Sequence, residues 1–385
     1  MEARTPNSEV FYILFMTAPS AQIKHSMFNR FFPPPRFLEM PAVGLDISDD
    51  AVSAIGLVWR GNSFAVERFG RRLLPNGSIS GGSVNDEDAV VATLRELKDT
   101  LKLDFVNASL SEESAYLFKT KIPRVSRKEI REVLEFKLEE NVPIPANDAI
   151  FDYTVITQTG VHDADDHLDV GVTVLPKRVV SAYTKLLDAA DIVPLSFEIE
   201  AQAISRAVIP KGNRDTHLVV NVGENKTGLF IVSDEVVHFT STVGIGGAHI
   251  TEAIAKYLSI SLSEASIIKN EHTSFKDKQN TELFLAVMKA VSALKDEINR
   301  LSVYWNTHKD TAGELGKKIT KIILCGHDAG ITGLADYIAL SFEDRVEVGN
   351  VWINTFSFEH YIPPLHFDES LDYAAAVGLA LPKGH

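Results

Sequence analysis

One cysteine, Cys325, is the chain's whole supply of thiol, so an intramolecular disulfide framework and a cysteine-rich metal site are both excluded. It sits in the apolar run Ile322-Ile323-Leu324-Cys325, where a free thiol behaves as a small hydrophobe, and a reducing compartment is expected. His249 and His327 offer no substitute ligands, because neither has a cysteine or further histidine at metal-ligand spacing. Basic charge is short as well. Against 52 Asp and Glu there are 38 Lys and Arg, a formal net charge of −14, which repels a phosphate backbone and excludes nucleic acid as the expected partner. The longest apolar run near the start, Val10–Met16, falls far short of the ~20 residues that span a bilayer. No basic segment precedes it as a signal peptide requires, so neither secretion nor insertion is expected.

What remains is the composition of a folded protein, 45% hydrophobic and 23% charged over 385 residues. At about 100 to 200 residues per domain that length holds two or three units. Residues 1–40 read as a flexible extension, since Phe28, Phe31 and Phe32 lead into Pro33-Pro34-Pro35 before any regular pattern begins; Met27 stands there as an alternative start. The patterned part opens with Val43-Gly44-Leu45-Asp46-Ile47, a polar turn Ser48-Asp49-Asp50, and Ala51–Val58, which reads as strand, tight turn, strand. A helix follows with Asn85 or Asp86 as N-cap and Val90, Leu94, Leu97 and Leu101 at helical spacing, then a strand around Phe105–Ala108.

From about Glu113 to Phe197 the pattern forms a small α+β unit: strand Tyr116–Ile122, a helix opened by Ser126 with Glu129 as a capping box and ended by Pro143 and Pro145, strands Phe151–Ile156 and Leu168–Leu175, and a helix Pro176–Ala190. The chain then resumes with Phe197 to Ala203. The second half begins as the first did, with Leu218–Gly223, the polar turn Glu224-Asn225-Lys226, and Thr227–Val232, so an internal duplication is expected. Val287, Val291, Leu294, Ile298, Leu301 and Trp305 mark a long amphipathic helix from about Asn280 to Tyr304, and Ile319–Cys325 reads as the final strand.

Four of these junctions can surround one nucleotide. Each polar hairpin turn can present backbone N–H groups to a phosphate, and Asp46 or Asn221 before it can hold a metal-bound water. Val243-Gly244-Ile245-Gly246-Gly247 ahead of a helix, and Leu324-Cys325-Gly326 after a strand, complete the set. Glu198 and Glu200 could flank the same cleft. Each of these features also has a plainer reading: Gly246 and Gly247 permit a tight turn, Lys269 is a solvated helix lysine, and Glu198 and Glu200 are capping or solvated groups at a strand-to-helix junction.

The order of these loops resembles the actin-like ATPase fold, and several stretches resemble its PilM branch: Val142-Pro143-Ile144-Pro145 with Phe151-Asp152-Tyr153, Phe197 to Ala207, Ser241–Gly247 with Ile250–Ile254, Glu264-Ala265 with Lys269, Glu297-Ile298 with Arg300 and Tyr304, and Gly326 to Ala335. The resemblance covers residues 41–381. It implies an α/β, two-lobed, duplicated ribonuclease H-like fold, with residues 41–112 and 198–214 in the first lobe, 113–197 inserted as a partner-binding subdomain, 215–370 as the second lobe, and 371–385 returning to the first. It implies ATP and Mg²⁺ between the lobes, touched by Asp46, Ser48, Asn221, Gly223, Glu224, Gly246, Gly247, Lys269 and Gly326, with Asp46 reaching the metal through water. It further implies a scaffold at the cytoplasmic side of an inner membrane, attached indirectly through the N-terminal peptide of a PilN-like protein, meeting other pilus platform and motor proteins, and able to form a homo-oligomer.

This chain departs from that family's pattern. Ser48, Asp49 and Asp50 stand where glycine and serines are usual, Asn221 stands for an aspartate, and His327 and Asp328 replace glycines. Two unit charges ~4 Å apart repel by about 4 kcal/mol at an effective dielectric of 20, against roughly 1 kcal/mol net for one hydrogen bond. Unless Mg²⁺ intervenes or the side chains turn away, Asp49 and Asp50 weaken phosphate binding, and hydrolysis is not expected. The alternative is a small-molecule kinase on the same fold, which needs a carboxylate base and loops that accept polyphosphate; no acidic motif is evident at the expected place. Cell-division relatives of the FtsA type and type II secretion L proteins are set aside on the end of the sequence at Lys383-Gly384-His385.

Overall fold

The computed structural model describes residues 43–156, 167–270, 281–308, 315–331, 333–342 and 345–382; the extension expected over residues 1–40 lies outside them. The first sheet is built on β1 (Val43–Ile47), whose five residues are all buried. It runs antiparallel to β2 (Ala51–Arg60), with Gly44 opposite Ile55, and parallel to β6 (Phe105–Leu110), with Gly44 opposite Asn107. Beyond them lie β3 (Ser63–Leu73) and β10 (Val193–Ile199), giving the order β3-β2-β1-β6-β10. A short hairpin, β4 (Ile79–Ser80) and β5 (Ser83–Val84), precedes helix α1 (Glu87–Leu101). The Asp86 carboxylate caps α1 by accepting from Ala89 N at 3.0 Å, and the helix buries Val90, Leu94, Leu97 and Leu101.

The second sheet repeats this topology. β11 (Thr216–Val222) pairs antiparallel with β12 (Thr227–Ser233) and parallel with β14 (Ile319–Cys325), in the order β13-β12-β11-β14-β15 with β13 (Val236–Val243) and β15 (Arg345–Val348) at the edges. Two five-stranded sheets with the same directions are what an internal duplication produces. Ile319–Cys325 is therefore not the final strand, because β15 pairs parallel to it, Lys321 opposite Arg345. The strands of these two sheets that the sequence pattern leaves out, β3, β13 and β15, are all edge strands.

Between the lobes' first and last parts sits a three-stranded sheet, β7 (Tyr116–Pro123), β9 (His167–Pro176) and β8 (Ala149–Ile156), covered by α2 (Arg127–Asn141). It has its own core of Ile122, Ile130, Leu134, Leu138, Val172 and Val174. The next helix, α3 (Lys177–Ala189), which the sequence pattern joins to this unit, buries Val179, Val180, Tyr183, Leu186 and Leu187 in the main core instead. Helix α4 (Glu200–Val208) carries the chain to the second lobe, where α5 (Gly247–Leu258), α6 (Leu262–Asn270), α7 (Thr281–Thr307) and α8 (Leu334–Ala339) follow. After α9 (Phe367–Ser370), α10 (Ala374–Ala380) lies between β1 and α4. Glycine permits that placement: a Cβ on Gly44 would come within 1.9 Å of Ala376 O, and one on Gly378 within 1.8 Å of Ala203 O. Among the described residues no helix is long and apolar enough to cross a membrane.

Candidate functional site

In open α/β sheets the strands present their carboxyl ends to a common crevice, and the two sheets do so toward each other. Asp46 at the end of β1, Glu112 just past β6, Glu200 just past β10, Asn221 near the end of β11 and Gly326 just past β14 line one interlobe cleft, together with Ser48, Asp49, Asp50, Gly223, Glu224, Lys226 and His327. Six of the nine residues expected to touch nucleotide are thus brought together: Asp46, Ser48, Asn221, Gly223, Glu224 and Gly326. The other three are not. Gly246 and Gly247 lie behind the second hairpin turn, where a Cβ on Gly246 would meet Gly223 O and Glu224 O at 2.5 Å. Lys269 is only 6% exposed, so it is no solvated lysine; its ammonium pairs with Asp328 Oδ1 at 2.6 Å.

The first hairpin turn is held by its own side chain, Ser48 Oγ donating to Ala51 O at 3.0 Å and accepting from Ala51 N at 3.2 Å. Ser109 on β6 donates to Asp46 Oδ1 at 2.7 Å and accepts from Ile47 N at 2.8 Å, fixing the aspartate against the neighbouring strand. Asp49 and Asp50 turn toward protein donors. Asp49 Oδ2 accepts from Gly81 N at 3.0 Å and from Lys226 Nζ at 2.8 Å; Lys226 also pairs with Glu113. Asp50 Oδ1 accepts from Asn225 Nδ2 at 2.6 Å. Lys226 and Asn225 belong to the second lobe's hairpin turn, so these bonds cross the cleft. At its other end His327 Nδ1 lies 2.7 Å from Asp372 Oδ1, a second crossing, with Arg71 Nε 3.8 Å from the same carboxylate. Asp372 holds the His327 imidazole above its ordinary pKa, against the opposing effect of burial.

Acidic groups dominate the interior: Glu112, missed in the sequence, and Glu200, read there as a possible flank of the cleft. Glu112 and Glu200, 5% and 9% exposed, face the cleft beside Asp46. This corrects two expectations, that Glu200 caps or is solvated and that the cleft lacks an acidic motif. Glu198 is not solvated either: it pairs with Arg206 and keeps a side-chain exposure of 9%. Their position at the carboxyl ends of parallel strands was the available signal. Burial pushes the Asp46 carboxyl up to about 6, with the Ser109 hydroxyl and Arg71 acting the other way. It pushes Glu112 up to about 7 and Glu200 well above the usual carboxylate range, where Glu112 and Asp46 add to the effect. One oxygen of Glu112 and the Tyr183 hydroxyl are buried without a hydrogen-bond partner.

Because the folded-state values of Asp46 and Glu112 exceed those of an unfolded chain, the folded protein holds extra protons. Their contribution to stability is full below the ordinary carboxylate range and is lost as pH rises through about 6 and about 7. The Glu112→Gln variant is expected to lose less melting temperature than the parent between about pH 5 and about pH 8. Thermal unfolding across that range checks it; parallel pH profiles would refute the assignment.

A nucleotide with Mg²⁺, which the fold implies, does not fit this arrangement. The cleft encloses 90 Å³, against roughly 300 Å³ or more for ligand pockets in general. The N-terminal amides of α5 that a phosphate would use are already bonded, Gly247 N to Gly223 O at 3.0 Å and Ala248 N to Glu224 O at 2.8 Å. The Asp328 carboxylate lies where a Cβ on Gly247 would touch it, within 1.9 Å.

Comparison with known proteins gives one family match, the type IV pilus assembly protein PilM family over residues 44–383. Among solved structures, a chain of a PilM-PilN type IV pilus biogenesis complex is 21% identical at a TM-score of 0.69, covering 90% of this chain and 98% of that one. MreB5 of Spiroplasma citri bound to ADP is 14% identical at 0.52, covering 88% and 94%, and the ethanolamine utilization protein EutJ from Carboxydothermus hydrogenoformans is 14% identical at 0.51, covering 90% of each. At these identities the structural likenesses show the fold, which is two-lobed and actin-like.

Proposed function

This chain belongs to the PilM family of type IV pilus assembly proteins, and from that premise we propose that it is a scaffold of the pilus inner-membrane assembly platform which binds the N-terminal cytoplasmic peptide of a PilN-like membrane protein. The observation that carries this reading is the extent of the family match, residues 44–383, which takes in both sheets and the inserted three-stranded unit. A protein whose name pairs PilM with PilN shares the fold over 98% of its length, which makes a PilN-like peptide the first partner to test. Placement at the cytoplasmic face of the inner membrane, through that partner, belongs to the same proposal.

No step of this function is routed through a nucleotide. What the chain's own residues supply is a frame: α10 wedged between β1 and α4, cross-cleft bonds at both ends of the cleft, and a separately cored subdomain whose β7 and β9 contact β13 of the second lobe. A peptide on such a frame is held by main-chain pairing or apolar anchors. The kinase alternative now has its carboxylates, but Lys226 and Asn225 already bond Asp49 and Asp50 across the space a polyphosphate would take. Titration of the full chain with the labelled N-terminal peptide of a PilN-like protein tests the proposal; saturable binding is expected.

A further inference from the structure

Four of the six residues that depart from the nucleotide-binding pattern, Asp49, Asp50, His327 and Asp328, are charged or titratable and each has a charged or polar side-chain partner; three of those partners lie across the cleft or close it. Asp49 bonds Lys226 and Asp50 bonds Asn225, first lobe to second. His327 bonds Asp372, second lobe to the returning C-terminal segment. Asp328 bonds Lys269 within the second lobe, beneath Gly247. We propose that these substitutions convert the nucleotide cleft into a built-in latch, in which side chains of the two hairpin turns hold the lobes together in place of a bound polyphosphate.

The chemistry is complementary in a way chance departures would not be. A phosphate between two hairpin turns is gripped by donors from both sides. Here one turn has gained acceptors, Asp49 and Asp50, while the other offers donors, Lys226 and Asn225, so the turns bond each other directly. Lys226 is the hub: its ammonium reaches Asp49 and Glu113, and its charge opposes the mutual repulsion of Glu112, Glu200 and Asp49 around it. A triphosphate entering this space would have to displace that ammonium and then face the carboxylates it had neutralised. The latch stands on these bonds alone and is independent of the partner proposed above, so failure of one leaves the other intact.

The test uses the full chain with spin labels at the exposed positions Asp99 on α1 and Lys256 on α5, read by double electron–electron resonance with and without Mg·ATP. The unmodified chain is expected to give one narrow interlobe distance unchanged by nucleotide, with no saturable ATP binding below ~1 mM. Lys226→Ala and the milder Asn225→Ala are expected to broaden and lengthen that distance while circular dichroism stays native. Asp49→Ser with Asp50→Ser, which removes both acceptors and both charges, is expected to raise ATP affinity at least about tenfold. Micromolar Mg·ATP binding by the unmodified chain, or an unchanged distance distribution in both the folded Lys226→Ala and Asn225→Ala variants, overturns the proposal.

Discussion

Lys269→Ala is expected to destabilise the protein by about 3–5 kcal/mol, the range found when one partner of a buried ion pair is removed. The side chains of Lys269 and Asp328 are 4% and 2% exposed, so the carboxylate left behind has almost no water and loses its direct ion-pair partner. Its other oxygen, Oδ2, already lacks a hydrogen-bond partner. At 385 residues that loss corresponds to a melting temperature lower by about 4–6 °C. Asp328→Ala should do comparable damage by stranding the ammonium. Lys269→Met combined with Asp328→Leu should recover most of the loss, since burying two apolar groups avoids the desolvation of both charges. Calorimetry on the three variants decides: additive losses in the double variant would mean that packing around α6, not the charge pair, sets the stability here.

Gly378→Ala is the second large effect. Its Cβ would sit 1.8 Å from Ala203 O and 2.4 Å from Ala203 C, and a backbone atom cannot swing aside as a side chain can. Helix α10 must then move off α4 or tilt, and the Arg206 guanidinium bond to Gly378 O, 2.6 Å, goes with it. Overpacking of this kind costs about 1–3 kcal/mol when flexible groups absorb it; with backbone on both sides, at Ala203 and through Gly44 on β1, the upper end is expected. Because Ala374 and Ala375 of the same helix line the cleft, the variant should also shift the interlobe distance, which an equally destabilised core variant far from α10 would not do.

Most of the scaffold was readable because its signals are local. Strand-turn-strand openings at Val43 and Leu218, the capped amphipathic α1, the long α7 and the capping box at Ser126 each depend on a period or a turn within one segment. Strands β3, β13 and β15 were missed for a shared physical reason. An edge strand pairs on one side only and tolerates charge and polar residues, so Glu67, Arg68, Arg71 and Arg72 in β3, Arg345 and Glu347 in β15, and the polar stretch Thr240-Ser241-Thr242 in β13 give no clear strand pattern. The loops of the cleft were legible by order, and six of their residues converge. What could not be read was pairing across the lobes: Lys226 was one residue of a polar turn, and only the fold places its ammonium beside Asp49, 177 positions earlier. Glu112 was hidden likewise, and Glu200 was legible only as a possible flank of the cleft, since burial of a carboxylate is a property of the assembled cleft rather than of its neighbours in sequence.

The measurement that tests the central claim most directly is a fluorescence-anisotropy titration of a labelled N-terminal cytoplasmic peptide from a PilN-like protein with the full chain, with a scrambled peptide as control. The scaffold account predicts saturable binding by the native peptide alone. No saturable binding by the native peptide, or equal binding by the scrambled one, would contradict it.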